Sequence, residues 1–260
     1  MKILSVINLK GGVGKTISSA NIAYILSQEH NKKVLMIDND KQGNLSKMYQ
    51  RHGYEHSGTA ELMTLRRFPA AEIIQHTEYP NLDIVTANMA LLKANLEVLL
   101  DSSRPQQTRF VRFLTSTDVY NEYDFCIIDN APDINISTIN ALAASTHVII
   151  PVKIDDFAFD GLSALVEQIE NTKEDLNPDL HFLGCFVTVY TNNDVNNQGE
   201  LWLKNQCMYP VFDTHIRRTE KIDESTFAKL PINEYSKRCG AAKDYRQLVE
   251  ELMGRLQEAE

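Results

Sequence analysis

No stretch of this sequence approaches the ~20 consecutive apolar residues that a membrane-spanning helix requires. Cysteine is scarce and unpaired in pattern: Cys126, Cys185, Cys207 and Cys239 are scattered without a C-x-x-C spacing. That excludes a disulfide framework or a zinc or iron–sulfur ligand set, and the thiols read as reduced, mostly buried groups of a cytoplasmic protein. Repeats, low-complexity tracts and Pro/Gly-rich linkers are absent, so residues 1–260 read as a single domain. The N-terminus offers one lysine and a five-residue apolar run, too little for a cleaved signal peptide. Basic charge is also in short supply. A net charge of −9 argues against nucleic acid as a partner of the surface as a whole. The deficit is uneven, however: residues 216–246 carry eight Lys/Arg against five acids, a local +3 beside −12 elsewhere. A basic surface on an acidic protein is therefore open to this chain.

What is present is a repeating pattern of apolar, β-branched runs: Ile3–Ile7, Val34–Ile37, Leu82–Val85, Phe125–Ile128, Val148–Val152 and Phe182–Val189. Helical patterns lie between most of them. Continuous apolar strands separated by helices indicate an α/β fold, a doubly wound, mostly parallel sheet with helices on both faces. Right-handed crossovers then gather the loops after the strand C-termini along one edge, where ligands bind in open sheets. Residues 50–80 show weak periodicity and receive no assignment. The segment Ala241–Leu256 sets Tyr245, Leu248, Val249, Leu252 and Leu256 on one face of an amphipathic helix.

The first apolar run leads directly into Lys10-Gly11-Gly12-Val13-Gly14-Lys15-Thr16, after which Ala20, Ile22, Ala23, Ile25 and Leu26 repeat at helical spacing. Glycines let successive backbone N–H groups turn inward around an anion, and the helix that follows adds its positive end. Lys15 supplies a point charge for β/γ-phosphates, and the Thr16 hydroxyl suits Mg²⁺. The ordinary pattern GxxxxGK[ST] needs glycine at position 9, where this chain has Leu9, and an additional lysine, Lys10, opens the loop. A glycine-rich surface turn is the bland alternative. Strand, glycines, two lysines and helix in that order weigh against it.

Two further strands end in carboxylates. The second apolar run closes with Asp38-Asn39-Asp40, two acids that extended geometry directs to the same side. The fourth, Phe125-Cys126-Ile127-Ile128, closes with Asp129, an arrangement that suits a Mg²⁺ ligand acting through water. An exposed loop-start carboxylate would be the default for Asp129 standing alone, and the nearby phosphate loop reverses that weighting.

The loop KGGVGKT, together with VLMIDNDKQGNLS (34–46), YDFCIIDNAPDINISTINAL (123–142) and IIPVKIDDFAFDGL (149–162), resembles the ParA/MinD deviant Walker A ATPases. Within that family the match is to ParA/Soj partition proteins, whose IPRN-containing tail segment is similar to residues 215–252. The resemblance implies ATP and Mg²⁺ as ligands, with Lys10, Lys15 and Asp40 catalytic. Lys10 would reach across a dimer interface to the partner's phosphates, and Lys15 and Thr16 would act in cis. Asp40 would position the attacking water, Asp38 would support the switch region, and Asp129 with Thr16 would hold the metal. Gly11, Gly12, Val13 and Gly14 would line the phosphates. The chain departs from the family at Ile17, where a second threonine is usual, and at Lys41, where proline is usual. It departs again at Arg217 and Thr219, where the proline and asparagine of IPRN lie against adenine. Ile17 cannot offer the α-phosphate a hydroxyl, which implies weaker nucleotide affinity. The family arginine matches Arg218, which with Lys221 and Arg246 is expected to contact DNA; Arg104, Arg109 and Arg112 are the next basic candidates.

The function implied is DNA segregation: an ATP-dependent homodimer gripping DNA without sequence preference, cytoplasmic and nucleoid-associated, with slow hydrolysis stimulated by a ParB-like adaptor. No helix-turn-helix segment precedes the loop in the sequence, which favours the compact Soj type. A MinD-like membrane-associated ATPase is the alternative, but residues 243–260 carry three basic and five acidic side chains, which opposes an anionic leaflet. An iron–sulfur reductase would need interface cysteines that the sequence lacks. A metabolic ligase would need an organic-substrate pocket, and none is identifiable.

Overall fold

Alternation along the central strands decides which side chains meet which helical layer. The computed structural model describes residues 1–66, 69–155, 158–206 and 209–258. Cys207, Glu260 and positions 156–157 of the 149–162 segment lie outside the described residues. Seven strands form one sheet: β1 (Lys2–Val6), β2 (Val34–Asn39), β3 (Ile74–His76), β4 (Leu82–Val85), β5 (Phe125–Asn130), β6 (His147–Lys153) and β7 (His181–Thr188). Their order is β3-β4-β2-β5-β1-β6-β7, parallel throughout except for the antiparallel edge pair β3–β4. All six apolar runs became strands, within one or two residues of their bounds.

On β1, β2 and β5, Leu4, Val6, Val34, Met36, Phe125 and Ile127 point to one face. They pack beneath the helix Lys15–Gln28, and that helix packs in turn against the C-terminal helix Gly240–Glu258. Ile3, Leu35, Ile37, Cys126 and Ile128 point to the other face, beneath helices Thr59–Thr64, Ala90–Leu100 and Arg109–Leu114. A third cluster joins Val148, Ile150 and Val152 of β6 to Leu162, Leu165 and Ile169 of the helix Ala158–Asp175. Cys126 and Cys185 are buried thiols, as the sequence implied, and Cys239 is half-buried.

The unassigned stretch 50–80 holds two short helices and β3. Its anchor is a close backbone approach. A Cβ at Gly58 would stand 2.1 Å from the Thr86 carbonyl oxygen, which accepts the Thr59 N–H at 2.8 Å. Only glycine fits there. β3 is a three-residue edge strand, Ile-Gln-His, with no apolar run to betray it.

The C-terminal helix behaves as its periodicity predicts, with Tyr245, Leu248, Val249, Leu252 and Leu256 all at most 3% exposed. Replacing Leu248 by Ala should cost about 2–5 kcal/mol and lower the urea midpoint accordingly. Leu100→Ala, at a side chain 85% exposed, should stay within about 0.5 kcal/mol of the parent. Equal losses from the two would mean that the last helix is not part of the core.

Candidate phosphate-binding site

β1 hands the chain to the glycine loop with two residues, Asn8 and Leu9, between the strand's last neighbour and Lys10. Gly12 and Gly14 adopt positive φ, 73° and 81°, which side chains with a Cβ reach only under strain. Gly14 caps the helix Lys15–Gln28, and no side chain caps it. The first-turn N–H groups therefore face the hollow of the loop, the arrangement that holds an anion. Asn8 braces the loop: its amide donates to the Pro151 carbonyl at 2.7 Å, and its oxygen accepts the Lys10 N–H at 2.9 Å. From β7, the Thr188 hydroxyl donates to the Val13 carbonyl at 2.8 Å.

Lys15 curls back over this loop and donates its Nζ to the carbonyls of Asn8 and Lys10, at 2.9 and 2.8 Å. Burial lowers its pKa, and Asp129, Asp40 and Asp133 oppose that shift. The ammonium is thus held among backbone oxygens where phosphate oxygens would compete for it.

Strand register places the carboxylates. Asp129 is opposite Val6 on one side and opposite Asp38 on the other, and alternation turns both acids to the face of the loop helix. Asp129 accepts the Ser19 hydroxyl at 3.0 Å and a further bond from Thr16. Asp38 accepts the Ser46 N–H at 2.8 Å and its hydroxyl at 2.7 Å. Burial raises the Asp38 pKa to about 7, with the neighbouring Asp129 charge adding to it. Burial likewise raises Asp129 to about 6, against the pull of Thr16, Ser19 and Lys15.

Asp38 and Asp40 stay close at the end of β2, the Asp40 N–H donating to the Asp38 carboxylate at 3.2 Å. β2 stops at Asn39, and Asp40 sits in a turn, its carboxylate accepting the Gln42 N–H at 2.9 Å. Asp38 is sealed beneath the loop that follows, while Asp40 faces a cavity of about 690 Å³. Gly11, Gly12, Gly14, Lys15, Thr16 and Ile17 line the same cavity, with Lys47, Pro132, Thr226 and Lys229 opposite. Val13 turns its side chain into the protein.

Lys10 is not a bare charge beside Lys15. Its Nζ pairs with Asp155, at the end of β6, at 2.6 Å. Arg217 and Thr219 line a different cavity of about 620 Å³ with Tyr190, His215 and Arg218, and do not reach the one over the loop. Arg217 makes a bidentate pair with Asp244, 2.7 Å at each contact, and that carboxylate raises its pKa further. Thr219 caps the helix Glu220–Ala228.

Two of the three basic residues expected at DNA are held by acids. Lys221 pairs with Glu224 at 2.6 Å, and Arg246 pairs with Glu29 at 2.7 Å. Arg218 is exposed. Asn8, Ser19, Ser46 and Asp155 escaped the sequence reading. Asp155 had a signal, since it stands in the apolar-to-acidic junction 149–162, whereas a single hydroxyl in a helix has none.

A family model described as AAA domain matches residues 1–182. The chain is 31% identical over 257 residues to the chromosome-partitioning ATPase Soj of Treponema pallidum, covering 98% of each. Among solved structures it is similar to the cobyrinic acid a,c-diamide synthase of Mycobacterium smegmatis with bound ATP analogue and magnesium. That match has a TM-score of 0.84 and 24% identity, covering 100% of this chain and 97% of that one. It is also similar to apo McdA of Cyanothece, with a TM-score of 0.85 and 20% identity, covering 97% and 99%.

The raised Asp129 pKa has a measurable consequence in metal-free protein. The folded carboxyl titrates near 6 and an ordinary one near 3.8, so the folded state holds the proton more tightly. Its contribution to stability is complete below the unfolded value and is lost as pH rises through the folded one. Asp129→Asn, which cannot ionise, should therefore gain on the parent by about 1 kcal/mol between pH 5 and pH 8. Urea midpoints in EDTA measure the gap, and a gap independent of pH would count against the buried charge.

Proposed function

This chain belongs to the ParA/Soj-type AAA-domain ATPase family, and from that premise we propose that it is a DNA-partition ATPase. The reading takes residues 1–260 as one P-loop domain that binds ATP with Mg²⁺ and dimerises around the nucleotide. The dimer grips DNA without sequence preference and is released when a ParB-like adaptor stimulates slow hydrolysis. It would act in the cytoplasm, on the nucleoid. The observation that carries the reading is the uncapped helix start at Gly14, with buried Lys15 above it and Asp129 beside Thr16.

The donor set fits the ligands. Thr16 and Asp129 offer hard oxygens, which suit Mg²⁺, an ion usually held by one or two protein groups plus phosphates and water. A cation there would neutralise charge on the transferring phosphoryl group. Gly11 to Thr16 would surround the phosphates through their N–H groups, and Lys15 would exchange its two carbonyl partners for phosphate oxygens. Asp40, at the cavity wall, would accept a hydrogen bond from the attacking water and hold it in line. Bond formation from that water to the terminal phosphorus breaks the bond to the ADP oxygen, and the water's proton leaves with the phosphate. Asp38, buried on Ser46, supports the loop that carries Asp40.

Two features support a second copy as partner. Lys10 projects to the edge of the site and reaches Asp155, so it is long enough to leave its own loop. An apolar groove of about 350 Å³ opens beside Lys41 and Asp133, walled by Leu92, Leu96 and Leu99, of which Leu96 is 58% exposed. A patch of that kind marks an interaction surface. For DNA, exposed Arg218 carries the reading, and Lys221 and Arg246 would join it only by leaving Glu224 and Glu29. A MinD-like use of the last helix is disfavoured, because its apolar face is already buried against the loop helix. Among the described residues no helix is long and apolar enough to cross a membrane. Arg217 and Thr219 line the cavity beside Tyr190 rather than the one over the loop, so the adenine contact that the resemblance gives these positions is not part of the proposal.

Two variants separate the roles. Lys10→Ala should bind a fluorescent ATP analogue yet elute as a monomer in gel filtration, and an ATP-induced dimer like the parent's would overturn the shared-lysine arrangement. Asp40→Ala should bind ATP and remain dimeric, with phosphate release lowered by about 100-fold or more, the scale of a lost water-positioning group. Unchanged turnover would overturn the water-positioning role of Asp40.

A further inference from the structure

On the face away from the loop helix, four arginines cluster beside the end of the helix Thr59–Thr64, two of them on the Asp101 carboxylate. Arg104 and Arg109 both donate to Asp101, each at 2.9 Å. Arg104 also reaches the Thr64 carbonyl at 2.8 Å, Arg112 reaches the Leu65 carbonyl at 2.7 Å, and Arg66 reaches the Ser103 hydroxyl at 2.8 Å. The pKa values of Arg109 and Arg112 are lowered by burial and then by the neighbouring guanidinium charges. Repulsion among the cations is therefore part of the folded state, and Asp101 offsets it at Arg104 and Arg109.

A purely structural role accounts for some of these contacts, since the helix Thr59–Thr64 ends at the carbonyls that Arg104 and Arg112 hold. Closing one short helix does not need four cations. Arg109 is 2% exposed and its Nε has no hydrogen-bond partner, a desolvation cost that a structural cluster would avoid. Arg66 and Arg112 are exposed, Arg104 is half-buried, and each is fixed at one end by a carbonyl, hydroxyl or carboxylate. Fixed guanidiniums lose little freedom on meeting a phosphate, whose oxygens match their planar fork.

We propose that Arg66, Arg104 and Arg112, backed by buried Arg109, form a second DNA-phosphate contact on this chain, separate from Arg218. The inference rests on the DNA-partition reading. An acidic protein repels a polyanion over most of its surface, so non-specific binding depends on local surpluses such as this one. Several cations on an open surface suit a polymer of phosphates, read by charge and spacing rather than by base.

The test is fluorescence anisotropy of a labelled random-sequence duplex with the full chain and a non-hydrolysable ATP analogue, from about 50 to 200 mM salt. The variants are Arg66→Gln with Arg112→Gln, and Arg66→Glu with Arg112→Glu. The glutamine pair should bind the duplex about 10-fold more weakly, with a log–log salt slope shallower by about 1 to 2. The glutamate pair should bind more weakly still, and fluorescent-nucleotide affinity should stay at the parent's value in both. If the glutamine pair lost folding stability, single Arg66→Gln, which surrenders only a contact to Ser103, would carry the test. Parent-like DNA binding by the glutamine variants, while the parent binds, would overturn the second contact. A parent chain that dimerises with nucleotide but binds no duplex would instead overturn the DNA-partition reading beneath it.

Discussion

Three charged groups are buried within one short stretch of sheet edge, and the fold is arranged around that fact. Asp38 and Asp129 lie on adjacent strands, opposite each other in register and on the same face, while Lys15 covers them from the loop. Buried like charges at neighbouring strand positions raise each other's proton affinity, and one ammonium does not neutralise two carboxylates. Hydroxyls from Thr16, Ser19 and Ser46 provide the remaining stabilisation. Such an arrangement gains from an added cation and an added polyanion together, which is what the Mg-nucleotide reading supplies. The charge crowding at this edge is thus what the proposed Mg-nucleotide would relieve.

Holding those charges in place requires a helix that cannot shift. The helix Lys15–Gln28 is buried nearly all round, including the polar Ser18, Ser19 and Asn21 at 0% exposure. Each polar group has a defined partner: Ser18 the Tyr245 hydroxyl at 3.2 Å, Ser19 the Asp129 carboxylate, Asn21 the Ile232 N–H at 2.8 Å. Two of the three partners come from residues beyond 230. The C-terminal segment thus closes over the loop helix and fixes its rotation, so distant sequence sets the aim of the first-turn N–H groups. Satisfied buried polar networks specify one arrangement, because the alternatives leave groups unpaired.

The sheet was legible because buried parallel strands leave continuous apolar runs, and six of the seven strands have one. β3 has none, since an edge strand of three residues needs only one buried neighbour, and its position depends on the fit of Gly58 against Thr86. The phosphate loop was legible because glycine, lysine and threonine each have a conformational or chemical reason to be there. The turn at Asp40 was not legible, because β2 ends one residue before it and alternation holds only within a strand. Asn8 and Ser19 were invisible for a different reason. A residue that braces a site through one hydrogen bond leaves no period and no spacing.

Surface chemistry was the least legible, and the structure gives a physical account of why. A basic residue in a sequence is a free charge only after its own acids are subtracted. Lys10 meets Asp155, Arg217 meets Asp244, Lys221 meets Glu224 and Arg246 meets Glu29, pairings that join positions from 3 to 217 residues apart. Of these, Lys221–Glu224 is exposed on both sides and worth roughly 0–1 kcal/mol to stability, whereas Arg217 is held by a buried carboxylate. Glu224 and Asp244 are already subtracted in the local +3, and Glu29, reaching Arg246 from outside the segment, offsets one charge more. The arginines around Asp101 run the other way: residues 101–112 carry three arginines against one acid, and the fold brings Arg66 from a distant segment to join them.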